Sequence, residues 1–305
     1  MSIEQFVNKI HCGNCVDVMK LIPNNSVDLV VTSPPYKEND GFSWELISEL
    51  AIQIFRIIKN NSLVYINFGH LANYKSRPLK LALIFENCGF NFIDTIIWYK
   101  HGMFTPLQGS KRFDNKTEYI FQFSKGKNYS LDRASIGLPY MDKNCIKRYN
   151  RFGKGDLTCR GNLWDIMYKV VQSKKDILHK DRFPLDLPLL CISSSSKEND
   201  LVMDPFFGSG TTGLATKKLK RRFIGIELNR EYCNIADKRI GGVEIVEYPV
   251  DRHEFTKYVE KKEDIKIYKP LKEGNKCNYS GYCPRKSFDG KECLIPDKKC
   301  LKEKK

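Results

Sequence analysis

At 305 residues the chain is long enough to bury a full core, as one large domain or as one domain with an insertion. No apolar run approaches the ~20 residues of a membrane span and no basic-then-apolar leader opens the chain, so a cytoplasmic protein without a membrane partner is expected. The formal net charge of +15 is unevenly placed: residues 100–183 hold 18 Lys/Arg against 8 Asp/Glu, a concentration that favours a polyanion such as nucleic acid as partner. The 11 cysteines are scattered and describe no secreted disulfide framework.

In chain order, Ile10-His11-Cys12-Gly13-Asn14-Cys15 opens the fold. Cys12 and Cys15 have C-x-x-C spacing, but no second pair follows closely enough for a zinc site. Val16, Met19, Leu21 and Ile22 predict a short inward-packing helix. Val27–Thr32 reads as a buried strand that runs into Ser33-Pro34-Pro35-Tyr36. After a flexible stretch (37–41), Trp44, Ile47, Leu50, Ala51, Ile54 and Ile58 recur at steps of three and four, an amphipathic helix ended by Asn60-Asn61. Ser62–Phe68 is a buried strand. Leu71–Cys88 is a second helix stopped by Gly89. Phe90–Tyr99 and Thr117–Phe123 are a strand pair. Strands alternating with helices predict a doubly wound, mostly parallel α/β sheet.

Residues 125–175 lose this rhythm and are rich in Gly, Asn, Lys, Arg and Tyr. Arg, Lys and Asn read base edges and aromatics stack on displaced bases, so Lys147, Arg148, Arg151, Lys154 and Arg160 are candidate DNA contacts; the alternative is a long solvated loop. Gly161–Ile166 marks a return to order. His179-Lys180-Asp181-Arg182-Phe183-Pro184 precedes an apolar helix, Leu185–Ile192. Leu201–Met203 then reads as a strand, followed by a Gly-rich turn, a helix and a second strand, Phe223–Ile226, ending in Glu227. Gly208, Gly210 and Gly213 have G-x-G-x-x-G spacing and Glu227 follows Gly208 by 19 residues, the layout of a nucleoside-binding βαβ unit whose carboxylate accepts from ribose hydroxyls. Asn229 caps a helix over 230–240, and Val243–Val246 is an edge strand. Four cysteines of the Lys/Glu-rich tail, Cys277, Cys283, Cys293 and Cys300, fall within 24 residues. They admit one tetrahedral zinc but lack the tight pairs of known fingers, and a tail with little order is the preferred reading.

Thr32-Ser33-Pro34-Pro35-Tyr36 followed far downstream by Asp204-Pro205-Phe206-Phe207-Gly208-Ser209-Gly210-Thr211-Thr212 resembles the amino-DNA methyltransferases. The order of motifs, catalytic first and cofactor second, resembles their permuted β-group. The resemblance covers residues 10–240. It implies a Rossmann-like S-adenosylmethionine-dependent fold with one antiparallel strand in the sheet, divided as a catalytic half (1–124), a target-recognition insertion (125–175), a cofactor half (176–248) and a tail (249–305). It implies that Asp204 to Thr212 shape the cofactor site and that Glu227 holds the ribose. Asn14 is placed near the methionine end, and Phe183 or Phe207 against the adenine.

An exocyclic amine is a poor nucleophile because its lone pair is delocalised into the ring. By the same resemblance, the Ser33 oxygen and the Pro34 carbonyl accept the two amine hydrogens, Pro34 and Pro35 fix the backbone, and Tyr36 stacks on a base flipped out of duplex DNA. No metal or covalent enzyme intermediate is required. Ser at position 33 accompanies cytosine N4 methylation in the family more often than adenine N6, which remains the alternative. A nicotinamide-dependent oxidoreductase leaves Ser33-Pro34-Pro35-Tyr36 unexplained, and an inactive nucleic-acid binder is opposed by two intact motifs. Defence against self-cleavage by a cognate restriction endonuclease is the common setting of such enzymes. The sequence leaves monomer and homodimer open.

Overall fold

The computed structural model describes residues 2–71, 74–101, 115–140, 157–168 and 183–249. The N-terminal half alternates β1 (Lys9–Cys12), α1 (Cys15–Leu21), β2 (Val27–Thr32), α2 (Trp44–Ile57), β3 (Ile58–Gly69), α3 (Arg77–Cys88), β4 (Asn91–His101) and β5 (Thr117–Lys125). A two-stranded ribbon, β6 (Leu138–Pro139) with β7 (Leu157–Thr158), stands apart from the main sheet. Then come β8 (Leu163–Met167), α4 (Asp186–Ser195), β9 (Leu201–Asp204), α5 (Thr211–Lys218), β10 (Arg222–Glu227), α6 (Arg230–Ile240) and β11 (Glu244–Glu247).

Nine strands form one sheet in the order β11-β1-β10-β9-β2-β3-β5-β4-β8. Only β5 runs against the others, pairing antiparallel with β3 and β4, so the expected single antiparallel strand is present. Alternate residues of each strand serve opposite faces. Val30, Val64, Ile66, Phe121, Met203 and Ile224 pack under α1, α2 and α3. Leu29, Val31, Leu63, Tyr65, Ile120 and Val202 pack with residues of α4 and α5 on the other side. A third cluster joins Ile10, Phe207 and Phe223 to Cys233, Ala236 and Ile240 of α6. Among the described residues no helix is long and apolar enough to cross a membrane.

The structure departs from the sequence expectations at four places. Asn60-Asn61 do not end α2. The helix stops at Ile57 because Ile58 is fully buried and already pairs with Val27, and Asn61 sits inside β3 with a left-handed φ of 63°. The second helix begins at Arg77 rather than Leu71, with Pro78 in its first turn, where a missing N–H costs nothing. Leu21 is exposed, while Cys15, Val18 and Met19 form the inner face of α1. Finally, 163–167 lies within the stretch read as an insertion but pairs parallel with β4 and forms the outer edge of the main sheet.

The turn after β9 depends on close packing beneath it. The Phe207 ring lies nearly parallel to that of Phe223, 5.6 Å between centroids, and fills the space above Gly225. A Cβ at Gly225 would lie 2.5 Å from the Phe207 ring. Overpacking of this kind costs about 1–3 kcal/mol. Gly225→Ala is therefore expected to lower the urea midpoint by that amount of stability, and Gly225→Ala combined with Phe207→Leu to recover part of it.

Candidate active site

The chain turns outward from β2 in one direction and from β9 in the other, so the adjacent ends of these two parallel strands form the switch point where open α/β sheets bind ligands. The two motifs singled out in the sequence both leave the sheet here: Ser33-Pro34-Pro35-Tyr36 after β2 and the Gly-rich turn after β9.

Asp204 fastens them together. It is 1% exposed. Its Oδ1 accepts from Thr32 Oγ1 (2.7 Å) and from the Phe206 amide (3.0 Å), and its Oδ2 accepts from Thr212 Oγ1 (2.6 Å). With both oxygens so occupied, Asp204 shapes the site rather than offering an oxygen to a ligand. Burial pushes its pKa up to about 6, and the two threonine hydroxyls and the amide restrain the rise.

The turn itself needs positive φ at Gly208 (52°) and at Gly210 (77°), the residue that precedes α5. Arg239 of α6 clamps it from behind: one guanidinium nitrogen donates to the Ser209 carbonyl and Oγ and to Thr211 Oγ1. Pro205, Ser209, Thr211 and Thr212 are buried, whereas Phe206 and Gly208 are partly open. Glu227 ends the neighbouring strand. Its Oε2 accepts from the Gly208 amide (2.7 Å) and its Oε1 from the Asn229 amide (2.8 Å). Burial raises its pKa, and these amides oppose the rise.

The structure places both aromatic candidates in buried clusters. Phe207 is 3% exposed and belongs to the core cluster against α6, so it cannot lie against a bound adenine. Phe183 is likewise buried, in the cluster with Leu187 and Cys191 on the other face. Phe206 is the aromatic of the turn that remains partly accessible. Asn14 sits at the end of β1, next to Glu227 through the Gly13 amide, which donates to the Glu227 carbonyl (2.9 Å). Its Oδ1 caps α1 by accepting from Val16 N (2.9 Å) and Asp17 N (3.4 Å), so that oxygen is committed to the helix.

On the catalytic side, Pro34 is buried and Ser33, Pro35 and Tyr36 are half-buried. Ser33 Oγ lies 3.1 Å from Tyr36 Oη. The Tyr36 hydroxyl also reaches Asn67 Oδ1 and Glu118 Oε2, and Glu118 is paired with Lys100. Burial first, and the nearby Glu118 carboxylate second, push the Tyr36 pKa well above the ordinary tyrosine value, so the phenol keeps its proton. The backbone beyond is pinned by Arg77, which donates to the Tyr36 carbonyl (2.7 Å), pairs with Glu38 and lies between the rings of Phe42 and Tyr74. The stretch read as flexible, 37–41, is thus a short 3-10 turn held from α3. Asn67, Lys100, Glu118, Arg77 and Arg239 were missed by sequence reasoning. For Asn67, Lys100 and Glu118 the available sign was a polar residue inside an otherwise apolar strand; Arg77 and Arg239 stand on helices and carried no such sign.

Of the candidate DNA contacts, Lys147, Arg148, Arg151 and Lys154 lie outside the described residues, as do Cys277, Cys283, Cys293 and Cys300. Arg160 is half-buried and its Nε donates to the Ile136 carbonyl (3.0 Å) beside the β6–β7 ribbon. Cys12 and Cys15 are buried free thiols, and burial pushes the Cys15 pKa up to about 12, which suits packing rather than redox work.

A switch point that joins a Ser-Pro-Pro-Tyr turn to a Gly-rich turn with a carboxylate on the next strand defines the class of S-adenosylmethionine-dependent DNA amino-methyltransferases. The chain belongs to the N6/N4 DNA methylase family, whose profile matches residues 27–238. It is 31% identical over 262 residues to the Type II methyltransferase M.BglII of Bacillus subtilis, covering 78% of this chain and 70% of that one. It is 33% identical over 240 residues to the orphan methyltransferase M.BamHII of Bacillus amyloliquefaciens, covering 70% and 89%. Among solved structures, the putative DNA modification methylase TTHA0409 of Thermus thermophilus, in complex with S-adenosyl-L-methionine, superposes with a TM-score of 0.56 at 25% identity, over 80% of this chain and all of that one.

The native state holds the Asp204 proton more tightly than the unfolded chain, because its pKa of about 6 stands above the ordinary 3.8. The penalty for ionising it is absent below the ordinary value and complete above the raised one, so this group's contribution to stability falls as pH rises through that window. Asp204→Asn removes the titration. The stability of the wild type relative to Asp204→Asn, from urea unfolding, is expected to fall by about 2–3 kcal/mol between pH 4 and pH 7.

Proposed function

We propose that this protein is a site-specific DNA methyltransferase that transfers the methyl group of S-adenosylmethionine to the exocyclic N4 amine of a cytosine flipped out of duplex DNA. The observation that carries the reading is Ser33: a neutral hydroxyl opens the catalytic turn and is hydrogen-bonded to Tyr36, just past the end of the strand beside the one that leads to the cofactor turn. The residues present suit the cofactor. Gly208 and Gly210 hold the turn in positive φ, so no side chain blocks the approach of a ligand to its backbone. Glu227 presents a carboxylate, already oriented by two amides, where ribose hydroxyls can donate to it. When bound, S-adenosylmethionine supplies an electrophilic methyl group on a sulfonium.

This chain's residues prepare the amine. The Ser33 oxygen and the Pro34 carbonyl accept its two hydrogens and draw the nitrogen lone pair out of conjugation. The Tyr36 ring lies against the base. With S-adenosylmethionine held by the Gly-rich turn and Glu227, the amine nitrogen would take the methyl group that it supplies, the sulfur would depart as a neutral thioether, and the proton shed by the amine would pass to solvent. Holding nitrogen, carbon and sulfur in line supplies much of the acceleration. The basic stretch of sequence ahead of β8, which contains Lys147, Arg148, Arg151, Lys154 and Arg160, reads the target sequence. We place the protein in the cytoplasm with DNA, functionally paired with a restriction endonuclease as the Type II relatives' name suggests, acting as a monomer or homodimer.

The reading is tested by incubating unmethylated DNA with the protein and isotopically labelled S-adenosylmethionine, then digesting to nucleosides for mass spectrometry. Label in 4-methylcytosine is expected. Label in 6-methyladenine overturns the choice of base, and no label in any base overturns the activity. Ser33→Ala is expected to lower the single-turnover rate constant about 100-fold or more with cofactor Kd within about 2-fold of wild type. Glu227→Ala is expected instead to weaken cofactor binding by about 10- to 100-fold.

A further inference from the structure

Two side chains outside either motif, Asn67 and Glu118, reach the Tyr36 hydroxyl, and a third, Lys100, pairs with Glu118. Asn67 comes from β3, Lys100 from β4 and Glu118 from β5. The antiparallel registers set Glu118 opposite Gly69 on one side and Trp98 on the other. Gly69 makes room for the group: a Cβ there would lie 2.9 Å from the Tyr36 ring and 3.0 Å from the Glu118 carboxyl carbon. The Lys100 and Glu118 side chains are 7% and 13% exposed. A buried ion pair stabilises no better than apolar packing of the same volume, so its position beside the reacting turn calls for a use.

That use follows from counting protons. The phenol has one hydrogen and three oxygens within reach: Ser33 Oγ at 3.1 Å, Asn67 Oδ1 at 3.2 Å and Glu118 Oε2 at 3.1 Å. A carboxylate is the strongest acceptor of the three. Asn67 is held with its Oδ1 toward Tyr36, because its Nδ2 donates to Glu118 Oε2 and to the Tyr119 carbonyl, both at 3.1 Å. The phenolic hydrogen therefore points away from Ser33, and a lone pair of Tyr36 Oη faces it. Ser33 donates its own hydrogen to that lone pair. The remaining Ser33 lone pairs are then free for the substrate. Were the chain reversed, with Tyr36 donating to Ser33, the seryl hydrogen would confront the amine hydrogens it has to accept.

We propose that the Lys100–Glu118 ion pair sets the direction of the Ser33–Tyr36 hydrogen bond and so makes Ser33 an acceptor toward the substrate amine. Glu118 is a positioning residue that acts through Tyr36, and Lys100 supplies the countercharge that allows a carboxylate at this site. The inference rests on the methyltransfer reading above and adds to it the means by which a serine, able to donate or accept, is committed to one role.

The test is single-turnover methylation of duplex DNA at saturating protein and labelled S-adenosylmethionine, with cofactor Kd measured alongside. Glu118→Gln, which presents an amide that can donate to Tyr36, is expected to lower the rate constant about 10- to 100-fold with cofactor Kd changed less than about 2-fold. Tyr36→Phe removes the relay, so Glu118→Gln added to Tyr36→Phe is expected to cause no further loss. Glu118→Gln at the wild-type rate, or a double variant whose loss is the product of the two single losses, overturns the proposal. Should Glu118→Gln alone lose cofactor binding through its unpaired lysine, the comparison is made with Lys100→Met and Glu118→Gln together, which removes both buried charges and is read by the same two outcomes. A wild-type protein that labels no base overturns the methyltransferase reading itself, whereas an active wild type with insensitive Glu118 variants overturns only this inference.

Discussion

Everything in this active site hangs on one buried carboxylate. Asp204 ties the last residue of β2 to the first turn of α5 and to the turn between β9 and α5. Because both strands are parallel and neighbouring, their ends already lie together; Asp204 converts that proximity into a fixed spacing between Ser33 and the Gly-rich turn. The carboxylate carries a desolvation cost, which its three donors offset only in part. The arrangement is thus held by directional hydrogen bonds and not by apolar packing alone, as suits a reaction that depends on alignment.

Around this clamp the structure divides its labour by strand. The candidate site residues stand at strand ends and in turns, while side chains behind them keep those turns in shape. Phe207 and Arg239 support the Gly-rich turn, and Arg77 supports the segment after Tyr36. Each of these three side chains holds backbone of the candidate site from behind.

Much of this was legible in the chain itself. The apolar runs at 29–31 and 201–203 marked buried strands, and the glycines at 208 and 210 marked a tight turn of unusual backbone conformation. What escaped was whatever depends on register or on small differences of side-chain direction. Lys100, Glu118 and Asn67 lie far apart in sequence and meet only because β5 runs antiparallel between β3 and β4. Phe206 and Phe207 are adjacent and chemically equal, and only the path of the turn decides which is core. Asn60-Asn61 looked like a helix stop because asparagine tolerates both turns and left-handed backbone; in the fold Asn61 uses that tolerance inside a strand. Leu163–Met167 is too short and mixed to announce a sheet edge, and its partner β4 decides the matter.

The join between β2 and β9 also bears on how the molecule is made. Thr32 and Asp204 are 172 residues apart, and β1, near the start of the chain, is flanked by β10 and β11 from the end of the described fold. The middle of the sheet therefore cannot close until the second motif has left the ribosome. Sheets built from such distant pairings fold slowly, because a long loop must be closed before its contacts repay the entropy. Until then the nascent chain presents a half-sheet whose central strand, β2, lacks its neighbour. For this architecture β9 and β10, synthesised long after β2, complete the core of the molecule as well as the candidate site.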